Sequence, residues 1–261
     1  MTIVERATPG RVSWVDLQTP DPEKARAFYG ALFGWTFAGG DEAAGFYTMA
    51  SLGGRKVAGM VPLRPGSPYS PMWSVYVASA AVDALAPRVG DAGGKVLLAP
   101  LDVRDLGRLS FFSEPTGALF GSWQAKQHFG AEVIDEVGAM CWHELYSNDV
   151  NVARAFFAKA LGLEDKHLDL PGVDYGTLHV PNDRRASFGT MQIPKEHPKQ
   201  PSHFNTYFAV ADVDASVAKA QELGGEVISP PFDTPFGRLA FLADPCGAAF
   251  NVMKPVKLPG E

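Results

Sequence analysis

The sequence predicts an α+β protein made of two tandem domains, and three observations carry that reading. The first is an internal repeat. WVDLQTPDPEKARAFYGALFGW (14–35) aligns with WHELYSNDVNVARAFFAKALGL (142–163) at an offset of 128, pairing Trp14 with Trp142, Asp16 with Glu144 and Phe28 with Phe156. The second is that later segments hold the register. Gly93-Gly94-Lys95-Val96 aligns with Gly224-Gly225-Glu226-Val227 at 131, and GRLSFFSEPTGALF (107–120) with GRLAFLADPCGAAF (237–250) at 130. So small a drift marks duplication of a unit of about 130 residues. The third is the order strand, helix, three strands, which recurs twice in each half. Hairpin strands beside short helices argue for α+β and against a doubly wound parallel sheet.

Each element has a local cause. WVDLQ alternates its faces as a strand does. Asp21-Pro22-Glu23 opens a helix, with Asp21 as N-cap and Pro22 in the first turn; Ala25, Phe28, Tyr29 and Leu32 recur at helical spacing, and Gly34 ends it. Strand-like runs follow at GFYTMAS and KVAGMVP. A second round begins with MWSVYVA (72–78), continues through a helix around Val82–Val89, turns at Gly93-Gly94, and closes with KVLLAP, LSFF and LFGSW. The polar stretch QAKQHFGAEVIDEVG interrupts the pattern, so the domains are placed at 1–125 and 139–261 with a linker at 126–138.

Composition narrows the function classes. The chain has 261 residues, 46% of them hydrophobic and 20% charged, which is globular rather than disordered. A net charge of −6 with no Lys/Arg block argues against a phosphate-backbone partner. Cys141 and Cys246 are too few for a disulfide framework or a thiolate zinc site. The beginning MTIVERATPGRVSW lacks the pattern of a signal peptide, and no apolar run approaches the roughly 20 residues that cross a bilayer. The expectation is a cytoplasmic protein, monomeric as an internal pseudo-dimer or homodimeric, without nucleic-acid or membrane partners.

The doubled pattern of a strand, D-x-x-x-A-x-x-F-Y or its variant on a helix, then L-G, closing with D-P-x-G-A before a last strand, resembles the vicinal oxygen chelate superfamily. That group includes glyoxalases, bleomycin-resistance proteins and extradiol dioxygenases. The closing motif is Asp244-Pro245-Cys246-Gly247-Ala248 in one half and the variant Glu114-Pro115-Thr116-Gly117-Ala118 in the other, so the resemblance spans about residues 11–254. It implies that two βαβββ modules form each half-barrel cup, giving two cups in a tandem protein of the actinobacterial type.

The resemblance also implies where a divalent metal would be held. Those positions fall on Trp14 and Trp142; on Gly59 or Met60 and Thr190 or Met191; on Ser74 and Asn205; and on Gly121 and Asn251. None is a His or carboxylate, so neither a metal site nor a cofactor is expected. Strand alternation predicts the cup faces instead: Trp14, Asp16, Ser74, Tyr76, Gly121 and Trp123 in the first half, and Trp142, Glu144, Asn205, Tyr207, Asn251 and Met253 in the second. Such surfaces suit a flat organic ligand, although Trp14 and Trp142 read equally as core residues filling the space of a lost metal.

An inward carboxylate needs a partner or a raised pKa. Arg108 and Arg238, at matching positions, are the expected partners of Asp16 and Glu144, in ligand binding or as internal salt bridges. His143 is expected to point away from the cup, and His179 and His203 to be surface or edge residues. Three functions stand open: a metal-independent binder of an aromatic or apolar metabolite or antibiotic, sequestering it or assisting its processing; a glyoxalase-, lyase- or hydroxylase-type enzyme using Asp16 or Glu144 as base; or an interaction protein with vestigial cups. The first cup is favoured, because Trp14, Tyr76 and Trp123 give it three aromatics and Gly121 leaves an open floor.

Overall fold

The computed structural model describes residues 2–42, 44–170, 172–194 and 200–256. The first half runs β1 (Thr2–Ile3), β2 (Val12–Thr19), α1 (Pro22–Phe33), β3 (Thr36–Gly39), β4 (Thr48–Leu52), β5 (Arg55–Pro62), β6 (Met72–Ala78), α2 (Val82–Asp91), β7 (Lys95–Val103), β8 (Gly107–Ser113) and β9 (Leu119–Ala125). After β10 (Val133–Ile134) the second half repeats it: β11 (Met140–Ser147), α3 (Val150–Leu161), β12 (Glu164–Leu170), β13 (Val173–His179), β14 (Ala186–Gln192), β15 (His203–Ala209), α4 (Val213–Glu222), β16 (Glu226–Thr234), β17 (Gly237–Ala243) and β18 (Ala249–Pro255). Each half is one eight-stranded sheet, in the orders β3-β4-β5-β2-β6-β9-β8-β7 and β12-β13-β14-β11-β15-β18-β17-β16. The α+β class and the tandem βαβββ modules are as the repeat predicts.

The duplicated helices use the same caps. The carboxylates of Asp21 and Asp149 accept from the N–H groups of Lys24 and Val152, and Gly34 and Gly162 end α1 and α3 in the left-handed region at φ 74° and 73°. Within the span between the halves, β10 pairs antiparallel with β1.

The two halves share one core. Leu17, Phe28, Tyr29 and Phe120 from the first lie in the same buried cluster as Phe157, Phe188, Phe208 and Phe250 from the second. Helix α1 packs on α4, α2 on α3, and β6 on β15. Polar pins cross the same boundary. The Tyr29 hydroxyl donates to Asp244 Oδ2 at 3.0 Å and accepts from Trp73 Nε1 at 3.0 Å, while Arg11 pairs with Asp183.

Replacing Tyr29 by Phe removes one hydroxyl and leaves the buried Trp73 N–H without its acceptor. The expected cost is about 1–3 kcal/mol of global stability, read by urea denaturation as a loss in a single cooperative transition. A change below about 0.5 kcal/mol, the usual scatter of neutral substitutions, would refute the pin.

Candidate functional site

Each sheet turns one face to the shared core and the other to a cavity. On β2, Val15 and Leu17 enter the core while Trp14 and Asp16 face outward into a cavity of about 610 Å³. On β11, Leu145 enters the core and Trp142, Glu144 and Tyr146 face a cavity of about 670 Å³. Strand register carries those faces across the sheets. Trp14 lies opposite Tyr76, which pairs with Gly121; Trp142 lies opposite Tyr207, which pairs with Asn251.

At the centre of each cup a carboxylate is wrapped by aromatic hydrogen-bond donors. Asp16 Oδ1 accepts from Trp14 Nε1 at 2.9 Å and from the Tyr47 hydroxyl at 2.7 Å. Glu144 Oε1 accepts from Trp142 Nε1 at 3.2 Å and the Tyr175 hydroxyl at 2.6 Å, and its Oε2 accepts from the Tyr207 hydroxyl. Burial raises the pKa of both carboxyls. The Tyr47, Tyr76 and Trp14 donors oppose this at Asp16, and Tyr175, Tyr207, Trp142 and Tyr146 oppose it at Glu144.

The clusters need glycine beside them. A Cβ on Gly59 would stand 1.8 Å from the Tyr47 hydroxyl and 2.0 Å from Asp16 Oδ1, and one on Gly189 would stand 2.4 Å from the Tyr175 hydroxyl. These strand glycines exist for close approach.

Several expected site residues lie elsewhere. Arg108 and Arg238 do not meet the carboxylates. Leu109 and Leu239 face the cavities, so alternation sends their neighbours to the opposite side, where Arg108 pairs with Asp83 of α2 and Arg238 with Asp214 of α4. Ser74 is turned to the cup side but buried, its Oγ accepting from Gln18 Nε2 at 3.0 Å. Gly121 leaves no open floor: its Cβ would come within 2.4 Å of the Tyr76 ring, which fills the place. Asn205 pairs with Glu144 in register, and Asn251 is buried beneath the second cup with its Nδ2 unpartnered. Thr190 points away and binds Arg154 Nε, whereas Met191 lines the second cavity.

His143 does face away from the cup. His179, expected at the surface or an edge, is fully buried on the inner strand β13, where Thr177 Oγ1 at 2.9 Å and the Asp183 carbonyl at 3.3 Å meet both ring nitrogens.

The structure adds residues the sequence reading passed over. Tyr47 and Tyr175 stand 128 residues apart, the same offset as Trp14 and Trp142, so the repeat contained the signal. His128, from the segment after β9, packs edge-on against Trp14 with ring centroids 4.6 Å apart and borders the first cavity. Phe232, Phe236 and Phe241 line the second. Its aromatic residues then number seven, with Trp142, Tyr146, Tyr175 and Tyr207, against Trp14, Tyr47, Tyr76 and Trp123 in the first. The count that favoured the first cup is reversed.

A family model described as the Glyoxalase/Bleomycin resistance protein/Dioxygenase superfamily matches residues 11–121 and again 127–252. The chain belongs to this superfamily. It is 42% identical over 255 residues to CFP32 of Mycobacterium tuberculosis, a protein whose name calls it a glyoxylase, with 94% of this chain and 95% of the relative aligned. It is 39% identical to the anthracycline biosynthesis protein DnrV of Streptomyces peucetius, covering 95% and 94%. In fold it is similar to a Mn(II)-bound glyoxalase from Novosphingobium aromaticivorans (TM-score 0.65, 18% identity, 97% of this chain and 85% of that one). It is also similar to 2,2',3-trihydroxybiphenyl 1,2-dioxygenase from Sphingomonas wittichii (TM-score 0.67, 17% identity, 97% and 93%).

The superfamily's metal does not fit the residues present. Among the described residues no group of three or more His, Cys, Asp or Glu side chains could hold an ion. The described residues of each cup include one carboxylate, with Trp and Tyr donors already on its lone pairs and an indole N–H, which cannot ligate, at the first-strand position.

Burial of the His128 ring gives the first cup a pH signature. Desolvation, with a smaller contribution from Lys56, pulls its pKa down to about 4 from the ordinary 6.5. The unfolded chain therefore takes up this proton first as pH falls, so stability present above pH 6.5 is lost towards pH 4. Relative to a His128→Phe variant, the native chain is expected to lose about 3 kcal/mol across that window, measured by urea denaturation at a series of pH values. A pH-independent difference between the two proteins would contradict it.

Proposed function

We propose that the chain is a metal-independent binder of an apolar, planar small molecule, with the second cup as its principal site. The observation that carries this reading is the Trp142–Glu144–Tyr175–Tyr207 cluster at the point where the inner strands converge. It satisfies a buried carboxylate with the protein's own donors and leaves above it a cavity walled by aromatic rings. A concave, mostly apolar space with a few fixed polar groups is what a drug-sized organic ligand requires. The name of the Streptomyces relative, an anthracycline biosynthesis protein, supports a polycyclic aromatic as the ligand class.

An enzymatic reading has its own support in the first cup. There Asp16 and the neutral His128 ring border one cavity, a pairing suited to moving a proton at a bound substrate. The glyoxylase name of the mycobacterial relative is compatible with such chemistry. Turnover of a dicarbonyl substrate that survives exhaustive chelation and is lost in Asp16→Asn would favour this reading over binding alone.

The binding reading is tested with 9-anthracenemethanol, a neutral planar probe, by quenching of intrinsic tryptophan fluorescence. Saturable binding, unchanged after exhaustive chelation, is expected. Phe236→Ala should weaken it by about 1–3 kcal/mol, the usual loss on truncating an aromatic anchor. Absence of saturable binding, or binding that disappears with chelation, would overturn the proposal.

A further inference from the structure

We propose that the second cup selects a ligand whose apolar body carries a protonated amine. The tyrosine and tryptophan faces would hold the ammonium group, within the field of the Glu144 carboxylate. This inference rests on the reading of the second cup as a binding site and specifies the chemistry of its guest.

Three observations converge on it. First, the Glu144 carboxylate meets no cationic side chain among the described residues that line its cup: none of them is Lys, Arg or His. The arginines nearest in sequence pattern are engaged elsewhere, Arg238 by Asp214 and Asp233, and Arg154 by Asp174. Burial raises the pKa of this carboxyl, so an ammonium brought beside it favours the ionised form, whose charge neutral donors alone leave uncompensated.

Second, the hydroxyls facing the cavity offer acceptors. Tyr175 and Tyr207 both spend their protons on Glu144, and Thr234 spends its own on the Gly237 carbonyl at 2.8 Å. Tyr175 already accepts from Trp142 Nε1 at 3.2 Å and Thr234 from the Phe236 N–H at 3.2 Å, so one lone pair is left on each of these oxygens and two on that of Tyr207. A ligand that meets them must bring N–H or O–H groups of its own.

Third, the walls are aromatic. Trp142, Tyr146, Tyr175, Tyr207, Phe236 and Phe241 border the cavity, and the faces of such rings attract cations. A neutral hydroxyl would use the lone pairs without using the uncompensated charge, and an anion would be repelled by it. The ammonium group uses all three features. The first cup differs in kind, since Arg104 and His128 border it.

The test uses three probes on one ring system at pH 7 and low salt: anthracen-9-ylmethylammonium, 9-anthracenemethanol and anthracene-9-carboxylate, each titrated calorimetrically. The ammonium is expected to bind roughly tenfold more tightly than the alcohol, with the carboxylate weakest. Phe236→Ala should weaken the ammonium, and Glu144→Gln should bring the ammonium-to-alcohol ratio close to one. Because Glu144→Gln can disturb folding, its circular dichroism is compared first, and the probe series on the unaltered protein decides by itself. An alcohol that binds as tightly as the ammonium overturns this inference and leaves the binding reading standing. So does an unchanged ratio in a folded Glu144→Gln variant. If none of the three probes binds, both readings fall.

Discussion

A carboxylate removed from water must keep hydrogen bonds to its charged form or give the charge up, and each cup is organised around that requirement. Asp16 and Glu144 stand on the central strands β2 and β11, where no solvent reaches them freely. The indole of Trp14 or Trp142 supplies one donor from two residues away on the same strand face, and a tyrosine from β13 or the segment before β4 supplies another. Close approach of that tyrosine excludes any side chain at Gly59 or Gly189. One constraint therefore accounts for tryptophan, glycine and tyrosine together.

The second constraint is that neither sheet can bury its convex face alone. The apolar residues alternating with the cup residues, such as Leu17 on β2 and Leu145 on β11, enter one core with the helices of both halves. The halves meet there through β6 and β15, so the two sheets bury their apolar faces against each other within one chain. Polar pins such as Tyr29 to Asp244 fix the register of that packing, because a buried hydroxyl and carboxylate have few other partners.

Most of this architecture was legible in the sequence. Period-2 alternation placed Trp14, Asp16, Tyr76 and Trp123, and their counterparts Trp142, Glu144 and Tyr207, on the cavity side. What alternation cannot give is which long side chain reaches which partner. Arg108 and Arg238 matched across the repeat as well as the carboxylates did, yet one residue of phase sends them to the helix side. Tyr47 and Tyr175 carried the repeat's own offset, but their role depends on a tertiary contact across strands. His128 lies outside the repeated pattern altogether, and only the return of the chain after β9 brings it against Trp14.

Divergence between the cups has a physical direction. The carboxylate, the indole and two tyrosines persist in both, so the centre tolerates little change without leaving a buried charge unsatisfied. The periphery bears no such constraint. In the first half the cup floor of Trp14, Tyr76 and Trp123 is continuous with the shared core. In the second, Trp142, Tyr207, Leu239 and Met253 form a separate apolar cluster backed by Phe236 and Phe241. Within that separate cluster Leu239, Met253, Phe236 and Phe241 donate nothing to Glu144 and can be exchanged without disturbing the packing that joins the halves, whereas side chains in the shared core cannot. Duplication therefore leaves one cup bound to the stability of the whole molecule and the other freer to be shaped for a ligand, which is where the more aromatic cavity is found.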